Sequence, residues 1–181
     1  MNTYYRMILL GSMLATSMAI MAHEDSWLRR GKSPGVAPVT NARYAKECGS
    51  CHFAYPPGLL PARSWQKLMG KLADHFGDNA ELPQADAVAL TGYLMQNAAD
   101  RSSYGRSLKI DDSLSPRQTP LRITQVPYIA GKHDEIPARL VTGNPKVRSL
   151  SNCTACHTRA ETGSFSERDI NIPGYGRWED D

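Results

Sequence analysis

Two five-residue stretches constrain this chain more than any other feature: Cys48-Gly49-Ser50-Cys51-His52 and Cys153-Thr154-Ala155-Cys156-His157. Both read C-x-x-C-H, and together they use all 4 cysteines of the 181 residues. The spacing is that of covalent c-type haem attachment. Two thiols three positions apart add across the two vinyl groups on one edge of a haem. The adjacent histidine turns beneath the ring and gives its imidazole to the iron. Gly49, Ser50, Thr154 and Ala155 are small, which suits a backbone lying against a porphyrin face.

Other uses of the cysteines explain less. A zinc site draws its two C-x-x-C pairs from segments about 15–20 residues apart, whereas most of the chain separates Cys51 from Cys153. Disulfides suit an exported chain. Neither reading accounts for a histidine after each second cysteine. The motifs therefore predict two covalently bound haem c groups, with Cys48, Cys51 and His52 on haem 1 and Cys153, Cys156 and His157 on haem 2.

The remaining composition fits this reading. The length suits one ordinary domain or two small ones. Aromatic residues make up only 8%, which is lean for two polypeptide cores, so each haem is expected to supply much of its own. Without haem the chain is expected to be largely unfolded, as small metal-dependent domains are.

Residues 1–22 read as a secretory signal: Arg6, an apolar run from Met7 to Met21, then Ala22 for cleavage. The run is too short for an ordinary membrane span. An uncleaved anchor is the alternative. Haem attachment behind such a signal points to the bacterial periplasm. The formal charge is +3, and Arg6 is the only charge in the leader, so the mature chain carries +2. Four haem propionates would make the holoprotein mildly acidic. Arg29, Arg30 and Lys32 are explained by a solvated tail, and no basic stripe argues for nucleic acid.

Taken in order, His23–Val39 is polar and rich in glycine and proline, an extended leader. A helix is expected from Thr40 to Cys48, capped by Thr40 or Asn41. The loop from Phe53 to Pro61 holds three prolines among apolar residues and is expected to cover a haem edge. Ser64 is expected to cap a helix to Phe76, with Trp65, Leu68, Met69, Leu72 and Phe76 on one face and Gly77 ending it. Asp78–Gln84 reads as a turn containing Pro83, and a further helix follows to about Ala99, its stripe made by Val88, Ala89, Gly92, Tyr93 and Gln96. Arg101–Pro120 reads as a linker or irregular wrap, and Leu121–Val126 as a short strand. Beyond Pro127 no period is sustained. The expected architecture is mainly α with much irregular structure, in two small haem-binding domains, 23–105 and 106–181. The second is a loop-rich cage.

Each iron needs a sixth ligand or an open position. Five of the 7 methionines lie in the leader, leaving Met69 and Met95. Apart from His52 and His157 the histidines are His23, His75 and His133. His75 is the distal candidate for haem 1, with Met69 as competitor and packing as that methionine's ordinary role. His133 is the natural ligand for haem 2, because its half contains no methionine. His23, beside the cleavage point, is expected to be free. Exchange of His75 and His133 between the halves stays open. Two histidines per iron predict low-spin centres of lower potential than a Met/His pair.

Beyond the motifs, Trp65–Gly77 (WQKLMGKLADHFG) and Gln125–Pro137, with His133-Asp134-Glu135-Ile136-Pro137, complete a pattern over most of the mature chain. In these residues the chain resembles the dihaem cytochrome c family of small bacterial periplasmic electron carriers. The resemblance implies bis-histidine ligation of both haems, a class I cytochrome-like first half and a less regular second half. It also implies electron exchange with a small oxygen-binding monohaem cytochrome and a membrane b-type cytochrome.

An electron carrier, a soluble monomer with no catalytic residues, is thus the leading expectation. A dihaem peroxidase needs one open haem, which the presence of both His75 and His133 opposes. A haem subunit of a membrane redox complex, held by an uncleaved leader, is the third reading.

Overall fold

Asn41 opens the first helix, α1 (Ala42–Gly49), by accepting a hydrogen bond from the Tyr44 N–H at 3.0 Å. The computed structural model describes Ser33 and residues 35–178, which fall in one compact unit. The leader, His23 and the Arg29, Arg30 and Lys32 cluster lie outside the described residues. On α1 only Tyr44 is buried, and its hydroxyl donates to the Tyr55 carbonyl at 2.8 Å. That bond ties the helix leading into the first motif to the loop leaving it.

Helix α2 (Ala62–Met69) differs from expectation at both ends. Pro61 stands at the cap position, and the side-chain cap comes from far along the chain. Asp100 accepts from the Ala62 N–H at 2.7 Å, placing a carboxylate at the helix N-terminus. Ser64 is buried with its hydroxyl unpartnered instead. The helix stops at Gly70 rather than Phe76, and a single 3₁₀ turn, Leu72–Asp74, follows. Trp65 and Leu68 are buried as expected, whereas Phe76 is 45% exposed. The apolar spacing ran on past a glycine that favours ending a helix.

Helix α3 (Gln84–Gln96) packs on α2. Its buried residues are Leu90 and Leu94, one turn apart, and Val88 is 62% exposed. The buried face is thus offset from the expected stripe, because contact with α2 sets the helix rotation. Helix α4 (Gly105–Asp112) occupies the stretch read as linker. Ser107 and Ile110, three apart, are its inward residues within a polar run. The expected strand at Leu121–Val126 is a 3₁₀ turn, Ile123–Gln125, leading into α5 (Pro127–Gly131) with proline in its first turn. No strand forms among the described residues, only isolated bridges. A lone alternating segment has no ladder partner to hold it extended.

The main core gathers Val36, Tyr44, Leu59, Leu60, Trp65, Leu68, Leu90 and Leu94 with Ile110 and Val126. Past α5 the chain proceeds in single 3₁₀ turns, with Leu140, Val141, Val147, Ala160 and Ile172 buried. The segment before α1 closes onto this region. The Val36 N–H donates to the Gly163 carbonyl at 3.0 Å, and Gly163 has φ +78°. A Cβ there would meet the Val36 carbonyl oxygen at 2.2 Å, so only glycine fits. The protein is mainly helical with much irregular structure. Among the described residues, no helix is long and apolar enough to cross a membrane.

Candidate functional site

Cys48 lies in the last turn of α1, and Cys51 and His52 follow as the chain leaves it. None of the four cysteines is paired in a disulfide. Burial, and then the neighbouring Glu47, pushes the Cys48 thiol up to about 11. The His52 Nδ1 lies 2.8 Å from the Phe53 carbonyl, an arrangement that leaves Nε2 for a metal. Across from it stands the His75 ring, 6.2 Å away between centroids with the two planes 20° apart.

A strained turn delivers His75. The His75 N–H donates to the Asp78 carbonyl at 2.7 Å, and the Asp78 N–H returns a bond to His75 at 3.3 Å. Between them Phe76 (φ 60°) and Gly77 (φ 103°) both sit at positive φ, the geometry of a type I′ hairpin turn. Phe76 is an uncommon residue for that region, and such strain clusters at functional sites. His75 therefore projects from a turn and not, as the spacing suggested, from a helix. Burial and then His52 hold it below its ordinary pKa, with Asp78 opposing and Arg122 adding slightly. Burial thus favours the neutral ring that metal binding requires.

The second motif lies in a 3₁₀ turn, Cys153–Ala155, closed by the His157 N–H donating to the Cys153 carbonyl at 2.8 Å. Its walls are loop backbone: the Asn171 N–H donates to Cys156 at 2.9 Å and the Thr158 N–H to Asp169 at 3.1 Å. Burial pushes the Cys153 thiol up to about 11 and raises that of Cys156. Burial first, then His133 and Arg106, lowers His157 to about 4. His133 follows α5, with Nδ1 2.7 Å from the Ile129 carbonyl. Its ring stands 6.1 Å from that of His157, with planes 73° apart. Phe165 packs edge-on against His157 at 5.2 Å.

These two histidine pairs suit a metal between them. A metal–nitrogen bond of about 2 Å on each side, plus the radius of each ring, separates trans imidazole centroids by about 6 Å. The His157 Nδ1 is buried and unpartnered on protein atoms. Among the described residues no three His, Cys, Asp or Glu side chains gather into a protein-only metal site. Thiols and imidazoles so arranged fit two haems and not zinc. Met69 instead packs against the apolar core.

A family profile described as dihaem cytochrome c matches residues 44–165. The chain belongs to the dihaem cytochrome c family. Among solved structures, the diheme cytochrome type c of Shewanella baltica OS155 is 45% identical, at TM-score 0.65, over 77% of this chain and 98% of that one. The diheme cytochrome c of Rhodobacter sphaeroides is 46% identical, at TM-score 0.64, over 72% of this chain and 100% of that one. No curated protein matches. This dihaem cytochrome c carries two covalently bound haem c groups and belongs to haem-based electron transport.

Sequence reasoning missed what joins the two sites of this cytochrome. Tyr55 packs on the His52 ring at 5.0 Å while its hydroxyl donates to the Ser151 carbonyl at 2.6 Å. The Cys153 Sγ lies 3.7 Å from that same carbonyl. Burial, and then Cys153, pushes the Tyr55 phenol up to about 12. Arg106, Arg122 and Phe165 were likewise unnamed. Tyr55 lies 96 residues from Ser151 and Arg106 lies 59 from Phe165, and no local pattern announces a contact at such range.

Proposed function

We propose that this dihaem cytochrome c is a periplasmic electron carrier with two six-coordinate, low-spin irons. Cys48 and Cys51 attach haem 1, ligated by His52 and His75. Cys153 and Cys156 attach haem 2, ligated by His157 and His133. The observation that carries this reading is the pairing of each motif imidazole with a second ring about 6 Å away, the separation two metal bonds require. The paired rings also favour ligation within each half over exchange of His75 and His133 between halves.

The bound haems supply the ferrous–ferric couple. The chain's contribution would be to supply and orient two imidazoles for each iron, so no position is left for peroxide or oxygen. The protein is thus a carrier and not an enzyme. Its haem-bearing halves are 23–105 and 106–181. Its partners are a small oxygen-binding monohaem cytochrome and a membrane b-type cytochrome.

The test is electron paramagnetic resonance of the oxidised holoprotein, paired with carbon monoxide binding to the reduced form. Two low-spin signals and no gas binding are expected. His75→Ala is expected to turn haem 1 high-spin while leaving haem 2 low-spin. A high-spin component in the native protein, or His75→Ala with both haems still low-spin, would overturn the reading.

A further inference from the structure

Arg106, at the start of α4, carries a charge that no carboxylate side chain answers among the described residues. Its Nη1 donates to the Tyr128 hydroxyl and its Nη2 to the Phe165 carbonyl, each at 3.1 Å. Its Nε is buried with no partner. No acidic oxygen lies within ion-pair distance of it among the described residues. Phe165, whose carbonyl it holds, is the residue packed edge-on against His157 at 5.2 Å. The guanidinium is thus a fixed cation behind the proximal histidine of the second motif. On the same side of the site, the Asp169 carboxylate accepts from the Ser164 hydroxyl at 2.6 Å.

The first site has no such held cation. Its cation, Arg122, is exposed, lies 4.0 Å over the Phe76 ring and is screened by solvent. His52 is exposed, whereas His157 is half-buried. Hydrogen bonding to the ligands does not separate the sites, because each has one imidazole against a carbonyl: His52 on Phe53 and His133 on Ile129. Charge and burial are what differ.

We propose that Arg106 holds haem 2 at the higher of the two potentials, so that the electron of the half-reduced protein rests on haem 2. The proposal rests on the bis-histidine reading above. A ferric core carries one more positive charge than a ferrous one, so a nearby cation and a drier setting both favour reduction. Electrons entering at the exposed first site then run downhill to the second.

The ligand planes label the two irons for the test. Planes 20° apart at haem 1 split the iron's two dπ orbitals and give an ordinary rhombic low-spin signal. Planes 73° apart at haem 2 leave those orbitals close in energy and give a strongly anisotropic one. The experiment is a redox titration of the holoprotein followed by paramagnetic resonance, for the native chain, Arg106→Gln, Arg106→Lys and Tyr128→Phe. The anisotropic signal is expected to vanish at the higher potential. Arg106→Gln is expected to cut the ferrous-to-ferric ratio of that haem about tenfold at fixed potential, about 59 mV for one electron, and to leave the rhombic signal in place. Arg106→Lys keeps the charge, and Tyr128→Phe removes only a hydrogen bond, so both are expected to titrate like the native protein. Reversed order in the native chain overturns the proposal even if Arg106→Gln fails to fold. An unmoved midpoint in Arg106→Gln, or an equal fall in Tyr128→Phe, also overturns it. A high-spin native signal instead overturns the bis-histidine reading, and this proposal with it.

Discussion

Cys48 leaves the last turn of a capped helix, whereas Cys153 opens a single 3₁₀ turn bounded by loop backbone. The same five-residue motif therefore sits in two unlike frames. The first adjoins a core in which side chains of α1, α2 and α3 pack directly on one another. The second adjoins scattered buried residues such as Leu140, Val147 and Ile172, joined by backbone hydrogen bonds between turns. The difference teaches that C-x-x-C-H asks little of its surroundings. Covalent attachment supplies what regular secondary structure otherwise would, so the second half can be built almost wholly from turns.

Removing the attachment is the largest way to break this comparison. Cys153→Ser with Cys156→Ser is expected to halve the haem content and open residues 138–178 to proteolysis. Cys48→Ser with Cys51→Ser is expected to lose the other haem while α2 and α3 stay protected. Haem stoichiometry with limited proteolysis checks both. Equal protection of residues 138–178 in the two variants would show that the second half does not depend on its haem.

Core truncation sharpens the contrast. Leu94→Ala, at a site 1% exposed, is expected to cost about 2–5 kcal/mol in denaturant unfolding. Leu140→Ala, 9% exposed and outside the main cluster, is expected at or below about 2 kcal/mol. Equal costs would mean that the second half has a core as tight as the first.

The smallest change probes what couples the halves. Tyr55→Phe keeps the ring against His52 and removes the 2.6 Å bond to Ser151. It is expected to cost about 0.5–1.5 kcal/mol and to slow electron exchange between the haems, read by flash-initiated kinetics. Native exchange rates in Tyr55→Phe would show that this bond does not fix their separation.

A cap whose partner lies within one turn is legible in the sequence. The Asn41 cap needed only Tyr44, three residues on. The end of α2 was missed because apolar spacing past Gly70 imitates a helix, while the Phe76–Gly77 turn is dictated by the return bond from Asp78. Helix α4 was missed because only Ser107 and Ile110 face inward, and a polar run hides two such positions.

By itself the sequence determined the chemistry of attachment, since two thiols and an imidazole within five residues meet one haem edge whatever the surrounding fold. It also narrowed the distal candidates through scarcity, with His75 and His133 the histidines beyond the motifs and the first residues and Met69 the competitor. Tertiary structure alone decided which rings face each other, at what angle, and with which charge behind them. Those features depend on contacts such as Arg106 with Phe165 and Tyr55 with Ser151. They are set by the packing of distant segments, which leaves no periodicity in the chain to read.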